Sequence, residues 1–110
     1  MERFVKGDVI VLPFPFSDLS ATKRRPALII VKLIGDDLIL CQITSEARKD
    51  EYSIVLENKD FKQGSLNKIS MIKPNKIFTA DKSIISYKVG SIKESKLKEV
   101  EDKLINIIKK

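Results

Sequence analysis

Histidine and tryptophan are absent from this 110-residue chain, and cysteine occurs once. Without histidine there is no Ser-His-Asp or Cys-His relay, no imidazole base and no His-ligated metal. A single cysteine excludes an internal disulfide and every cysteine-rich zinc arrangement. Aromatic residues make up only 6% of the chain, so aliphatic side chains must build the core. Long apolar runs are missing too. Pro26 to Val31 is closed by Lys32, far short of the ~20 residues that span a bilayer, and Met1 to Lys6 has no signal-peptide core. Any chemistry must therefore come from Arg, Lys, Asp, Glu, Ser, Thr, Asn and Cys41.

Charge is plentiful and of mixed sign. The 21 Lys and Arg against 15 Asp and Glu leave a formal net charge of +6. A basic balance points to a polyanionic partner, with nucleic acid or an acidic protein ahead of an anionic membrane. The length suits one compact domain over residues 1–110, and the 43% hydrophobic content is enough for a core. Cysteine usage and the missing targeting segment fit a reduced, cytoplasmic setting.

Apolar residues come in short β-rich bursts. Val9 to Leu12 follows Gly7-Asp8 and stops at Pro13, since Pro13 and Pro15 lack ladder donors. Ser17 to Arg25 reads as a polar, basic loop. Ala27 to Val31 is nearly continuous, as in a strand buried on both faces. Gly35-Asp36 suits a II′-type hairpin turn, making Leu38 to Thr44 its antiparallel neighbour. Further strands are expected over Tyr52 to Leu56, Ser70 to Lys73 continuing through Lys76 to Thr79, and Ser86 to Ile92. Leu97, Val100, Leu104, Ile105, Ile107 and Ile108 follow the stripe of an amphipathic helix. Its start is capped by Ser91 with Glu94 or by Ser95. The pattern predicts a mainly β domain, a coiled barrel or sandwich, closed by a C-terminal helix.

Three basic or hydroxyl-bearing islands stand out. Lys23-Arg24-Arg25-Pro26 is either a solvated turn or a phosphate grip: Pro26 holds Arg25 extended, and a guanidinium offers a planar fork that fits phosphate. Gln42-Ile43-Thr44-Ser45 brings two adjacent hydroxyls to a strand end. Lys73-Pro74-Asn75-Lys76 is a further turn-like basic island. Cys41, inside an apolar run, reads as a small core residue, and Asp36-Asp37 as turn chemistry rather than a metal pair.

The run Gly7-Asp8-Val9-Ile10-Val11-Leu12-Pro13-Phe14-Pro15-Phe16-Ser17-Asp18-Leu19, followed by Lys23-Arg24-Arg25-Pro26-Ala27-Leu28-Ile29-Ile30, resembles the MazF/PemK toxin family. Ile43-Thr44-Ser45 is similar to the family's second motif, and Ile72 to Ser83 with the terminal helix to its final third. The resemblance implies a small SH3-like barrel, a homodimer, and the toxin of a toxin–antitoxin pair. It implies an endoribonuclease that needs no metal or other cofactor and cuts single-stranded RNA through 2′-hydroxyl attack. It also implies an acidic antitoxin lying over the basic groove. Carried over by position, Arg25 and Thr44 would serve catalysis at the scissile phosphate. Lys23, Arg24 and Ser45 would contact the RNA backbone. Ser17 and Asp18 in the first loop, and Lys73 and Asn75 later, would complete the RNA contacts. Where some relatives carry Arg-X-Asp, this chain has Lys73 and Asn75, and an amide cannot take a proton. Arginine holds its proton tightly and is a poor base, so Arg25 belongs to phosphate stabilisation and leaves the base unidentified, with Asp18 a candidate. Two rival readings are a non-catalytic, gyrase-binding toxin of the CcdB type and an SH3-like RNA-binding module.

Overall fold

The computed structural model describes residues 3–14, 23–45 and 50–110. They form β1 (Asp8–Phe14), β2 (Lys23–Lys32), β3 (Asp37–Thr44), β4 (Ile54–Leu56), β5 (Phe61–Gly64), β6 (Ser70–Asp81), β7 (Tyr87–Ile92) and α1 (Glu94–Ile108). The strands make one sheet in the order β4-β6-β3-β2-β1-β7-β5, with every pairing antiparallel. This is the mainly β fold with a terminal helix that the sequence predicts.

The connection between the two edge strands dictates the shape of the sheet. A flat sheet of seven strands would separate β4 from β5 by about 29 Å, at ~4.8 Å per strand. Only residues 57–60 join them, and the five peptide steps from Leu56 to Phe61 reach at most about 18 Å. The sheet must therefore curl into a half-barrel. The connection is a 3₁₀ turn, Asn58–Asp60, held by reciprocal bonds between Glu57 and Asp60.

Curling produces two apolar clusters, one on each face of the central strands. Val9, Leu28, Cys41, Ile43, Ile72 and Ile92 pack with Val100 of α1 in the first. Ile10, Leu12, Phe14, Ala27, Ile29, Leu38 and Leu40 form the second. The near-continuous apolar character of Ala27–Ile30 follows, because both faces of β2 are covered. Lys96 ties the helix to the closing edge: its ammonium donates to the Val55 carbonyl at 3.1 Å and lies 3.1 Å from Glu99.

Several expected boundaries move. Lys23 to Arg25 belongs to β2 rather than to a loop, paired with Phe14, Pro13 and Leu12. β1 runs through Pro13 because its pairing with β7 ends at Val11, leaving Pro13 at a half-edge where a missing donor is tolerated. The β2–β3 turn is longer than a two-residue II′ turn: Lys32 pairs with Leu38, and Leu33 N donates to the Asp37 carbonyl. Neither Ser91 nor Ser95 caps α1. Lys93 holds the N-cap position without a side-chain bond, and its backbone N–H donates to the Asp60 carbonyl at 2.8 Å. Ser17 and Asp18, expected to contact RNA, lie outside the described residues, as does the segment 46–49.

Gly64 sits at φ +78°, and a Cβ there would lie 2.2 Å from the Val89 carbonyl oxygen. Glycine at this point lets β5 close onto β7. Gly64→Ala should lower stability by about 2 kcal/mol or more, read as a shift in denaturant midpoint. A shift within about 0.5 kcal/mol would show that the contact carries no constraint.

Candidate functional site

The cationic run begins at the first residue of β2. Lys23, Arg24 and Arg25 form no ion pair among the described residues, whereas Lys6, Lys73, Lys82, Lys88 and Lys96 are each matched to a carboxylate. Strand alternation sends these three side chains to different faces. Arg25 pairs laterally with Leu12 and is half-buried, whereas Lys23 and Arg24 are exposed. Pro26 leaves the strand extended here.

The second motif reaches the same end of the sheet. The β2–β3 pairing runs to Ala27 opposite Gln42. The ladder stops there, and Arg25 and Thr44 each lie two residues beyond that pair, on the strand face of Ala27 and Gln42. Thr44 is half-buried and Ser45 exposed. A guanidinium and a hydroxyl drawn from distant segments thus converge at one sheet end.

The opposite face carries Arg24 and Ser45. With Val11, Pro26, Asn67, Lys68 and Tyr87 they line an open groove of about 480 Å³. The Arg25 face instead leads into an apolar hollow of about 490 Å³, bounded by Leu12, Phe14, Gln42, Lys76 and Phe78. The Phe14 and Phe78 rings meet edge-on there, with centroids 5.0 Å apart. Ile77 and Ile84 stand exposed at its mouth. This hollow is lined mainly by apolar side chains, whereas polar and cationic side chains gather at the strand ends and along the groove.

Lys73 and Asn75 are separated from one another by a distortion of β6. Gln42 pairs with Lys73 but Cys41 with Ile77, so Pro74, Asn75 and Lys76 bulge out of the ladder. The island expected to be a turn is thus an interruption within one strand. Asn75 is exposed on the bulge, whereas Lys73 is buried with its ammonium 3.0 Å from Asp50 Oδ2. Asp50 Oδ1 also accepts from the backbone N–H groups of Tyr52 and Ser53, each at 2.9 Å, and from the Ser53 hydroxyl at 2.8 Å. The bonds from Lys73 and Ser53 hold the Asp50 carboxyl well below the usual carboxylate range.

Other candidates resolve simply. Cys41 is buried, and desolvation pushes its thiol up to about 12, which leaves it protonated and unreactive at neutral pH. Among the described residues no cluster of carboxylates, cysteines or histidines is fit to hold a metal ion. Asp8 is structural: its carboxylate accepts from the Val5 N–H at 2.9 Å and pairs with Lys88 at 3.1 Å. No helix among the described residues is long and apolar enough to cross a membrane. Asn67, Lys68 and Tyr87 come from segments that carry no motif, and only the chain's scarcity of aromatic residues would have drawn attention to an exposed tyrosine.

The family model for PemK-like, MazF-like toxins of type II toxin–antitoxin systems matches residues 5–108. No curated protein sequence matches the chain significantly. Among solved structures, the fold is similar to MazF of Deinococcus radiodurans, at 19% identity and a TM-score of 0.78 with both chains fully covered. It is also similar to a mycobacterial endoribonuclease solved with its cognate antitoxin, at 13% identity and a TM-score of 0.76, over 96% of this chain and 95% of that one. The Mycobacterium tuberculosis toxin MazF-mt6 shares 14% identity and a TM-score of 0.73, over 93% and 96% of the two chains. At these identities the likeness establishes the fold.

The Asp50–Lys73 pair has a pH signature. A carboxylate whose folded pKa is depressed contributes stability above its unfolded pKa of ~3.9 and loses it as pH falls below that value. Asp50→Asn should therefore lower Tm at pH 7 and flatten the acid-side fall in Tm below about pH 4. Identical acid limbs for variant and parent would show that the pair contributes nothing.

Proposed function

The chain belongs to the PemK-like, MazF-like toxins of type II toxin–antitoxin systems, and from that membership we propose that it is a metal-independent endoribonuclease cutting single-stranded RNA. One observation carries the reading. Three adjacent cations, free of ion pairs among the described residues, open β2 beside the hydroxyl-bearing end of β3. Adjacent cations on one strand end repel each other, and a bound phosphate is the kind of ligand that relieves this.

Cleavage by 2′-hydroxyl attack requires removal of that proton, stabilisation of the charged phosphorane and protonation of the leaving 5′-oxygen. Arg25 meets the second need with a permanent charge and a fork of donors, and Thr44 adds a hydroxyl from across the sheet. Each donor of this kind is typically worth ~10²–10³ in rate. The guanidinium also has protons to give the leaving oxygen, but it cannot act as the base at neutral pH. The base stays unassigned, and Asp18, in the segment that precedes Lys23, is the candidate for it.

Lys23, Arg24 and Ser45 hold the neighbouring backbone, and Ser17 and Asn75 extend that contact line. Lys73 acts indirectly, by anchoring the turn at Asp50 that follows the β3 end. The net charge of +6 steers a polyanion to this surface and suits an acidic antitoxin competing for it. The apolar hollow with exposed Ile77 and Ile84 is the face we assign to the homodimer contact. Messenger RNA as the substrate places the protein in the cytoplasm.

Purified protein should cleave a long single-stranded RNA in the presence of EDTA, with discrete stops in primer extension. Arg25→Ala should reduce the rate by ~10²-fold or more while leaving the thermal transition in place. Undiminished cleavage by that folded variant would overturn the assignment.

A further inference from the structure

Phosphate binding makes no use of the most unusual side chain in the groove. Tyr87, Val11 and Pro26 lie side by side on β7, β1 and β2, so they share one face. Tyr87 is 51% exposed, in a chain with two tyrosines and no tryptophan. Tyr87 lines the groove together with Val11 and Pro26. Lys68 and Arg24 also line the groove, Arg24 on β2, two strand spacings from β7, and neither forms an ion pair among the described residues.

The rim opposite the strands is fixed in place. A Cβ on Gly90 would lie 2.1 Å from the Gln63 carbonyl, so β5 and β7 touch backbone to backbone just before the 65–68 segment. The Leu66 N–H donates to Asn58 Oδ1 at 3.3 Å, and the Ser70 hydroxyl donates to the Lys68 carbonyl at 3.1 Å. The groove is thus preformed, and its exposed aromatic face is flanked by cations that no described carboxylate neutralises. That combination fits a base that stacks and a backbone that is anionic. An aliphatic partner would need no cations, and a bare phosphate would need no ring.

We propose that Tyr87 is a stacking platform for one nucleobase of the bound RNA, with Lys68 and Arg24 holding the phosphates on either side. This rests on the nuclease reading for the identity of the ligand and adds to it a determinant of affinity. Tyr87 lies on the face away from Arg25, so it contributes to binding and leaves the chemical step alone.

The amino-acid composition supplies the probe. Tyr52→Phe removes the other tyrosine, leaving Tyr87 as the sole tyrosine emitter in a protein without tryptophan. Titration with a fully 2′-O-methylated single-stranded oligonucleotide, which cannot be cut, should quench that emission in step with the anisotropy of a labelled strand. An abasic strand of equal length should bind without quenching. In the wild-type background, Tyr87→Ala should raise KM for RNA about tenfold or more with kcat within about twofold, and Tyr87→Phe should restore the parental KM. Binding of the methylated strand without quenching, an unchanged KM in a folded Tyr87→Ala variant, or quenching by an acidic peptide but by no oligonucleotide would each overturn the proposal. Quenching by the methylated strand in a protein that cuts no RNA would leave the stacking site standing and remove the nuclease reading instead.

Discussion

The short tie between the two edges of the sheet is the constraint on which everything else depends. Residues 57–60 reach across a gap that no flat seven-stranded sheet could close, so the sheet curls and buries two apolar clusters. The Glu57–Asp60 turn then receives the start of α1 through the Lys93 N–H, and Lys96 adds a second tie from the helix. The same closure presses Gly64 against β7 and delivers the 65–68 segment to the rim of the groove. Fold closure and the shape of the recognition surface are one event.

Charge is distributed unevenly over that frame. Asp8, Asp50 and Asp60 each hold a lysine in a structural contact close to the backbone of the sheet. The arginines at the start of β2 have no such partner among the described residues. Three carboxylates are thereby committed to architecture, while the adjacent cations at the start of β2 are left without a carboxylate among the described residues. Binding that depends on such cations weakens steeply with salt, because each phosphate contact releases counterions. Without histidine, the surface relies on charges that do not titrate near neutrality.

Much of the fold was legible in the sequence because burial writes itself as pattern. The bursts at Val9, Ala27 and Leu38 became the central strands, and the stripe from Leu97 became the helix. β5 escaped notice, since only Phe61 of its four residues is buried and no alternation marks it. Lys23 to Arg25 read as a loop because charge outweighed extension, although Pro26 already favoured a strand. Pro74 read as a turn, and β6 absorbed it in a bulge instead. The site was legible only as motifs. Pairing of β2 with β3 brings the strand ends that carry Arg25 and Thr44 to one end of the sheet, and such pairing is long-range rather than written in local sequence. Lys68 and Tyr87 are far apart along the chain with nothing local to connect them, and long-range strand pairing across β2, β1, β7 and β5 joins them to Arg24.

The central claim is that RNA is cut by its own 2′-hydroxyl on a surface of fixed positive charge. A single 2′-O-methyl group placed at a mapped cleavage site tests this most directly. The substituted strand should bind as before and no longer be cut at that bond, while unmodified sites elsewhere in the same strand are still cleaved. Cleavage at the methylated position at the normal rate would contradict it.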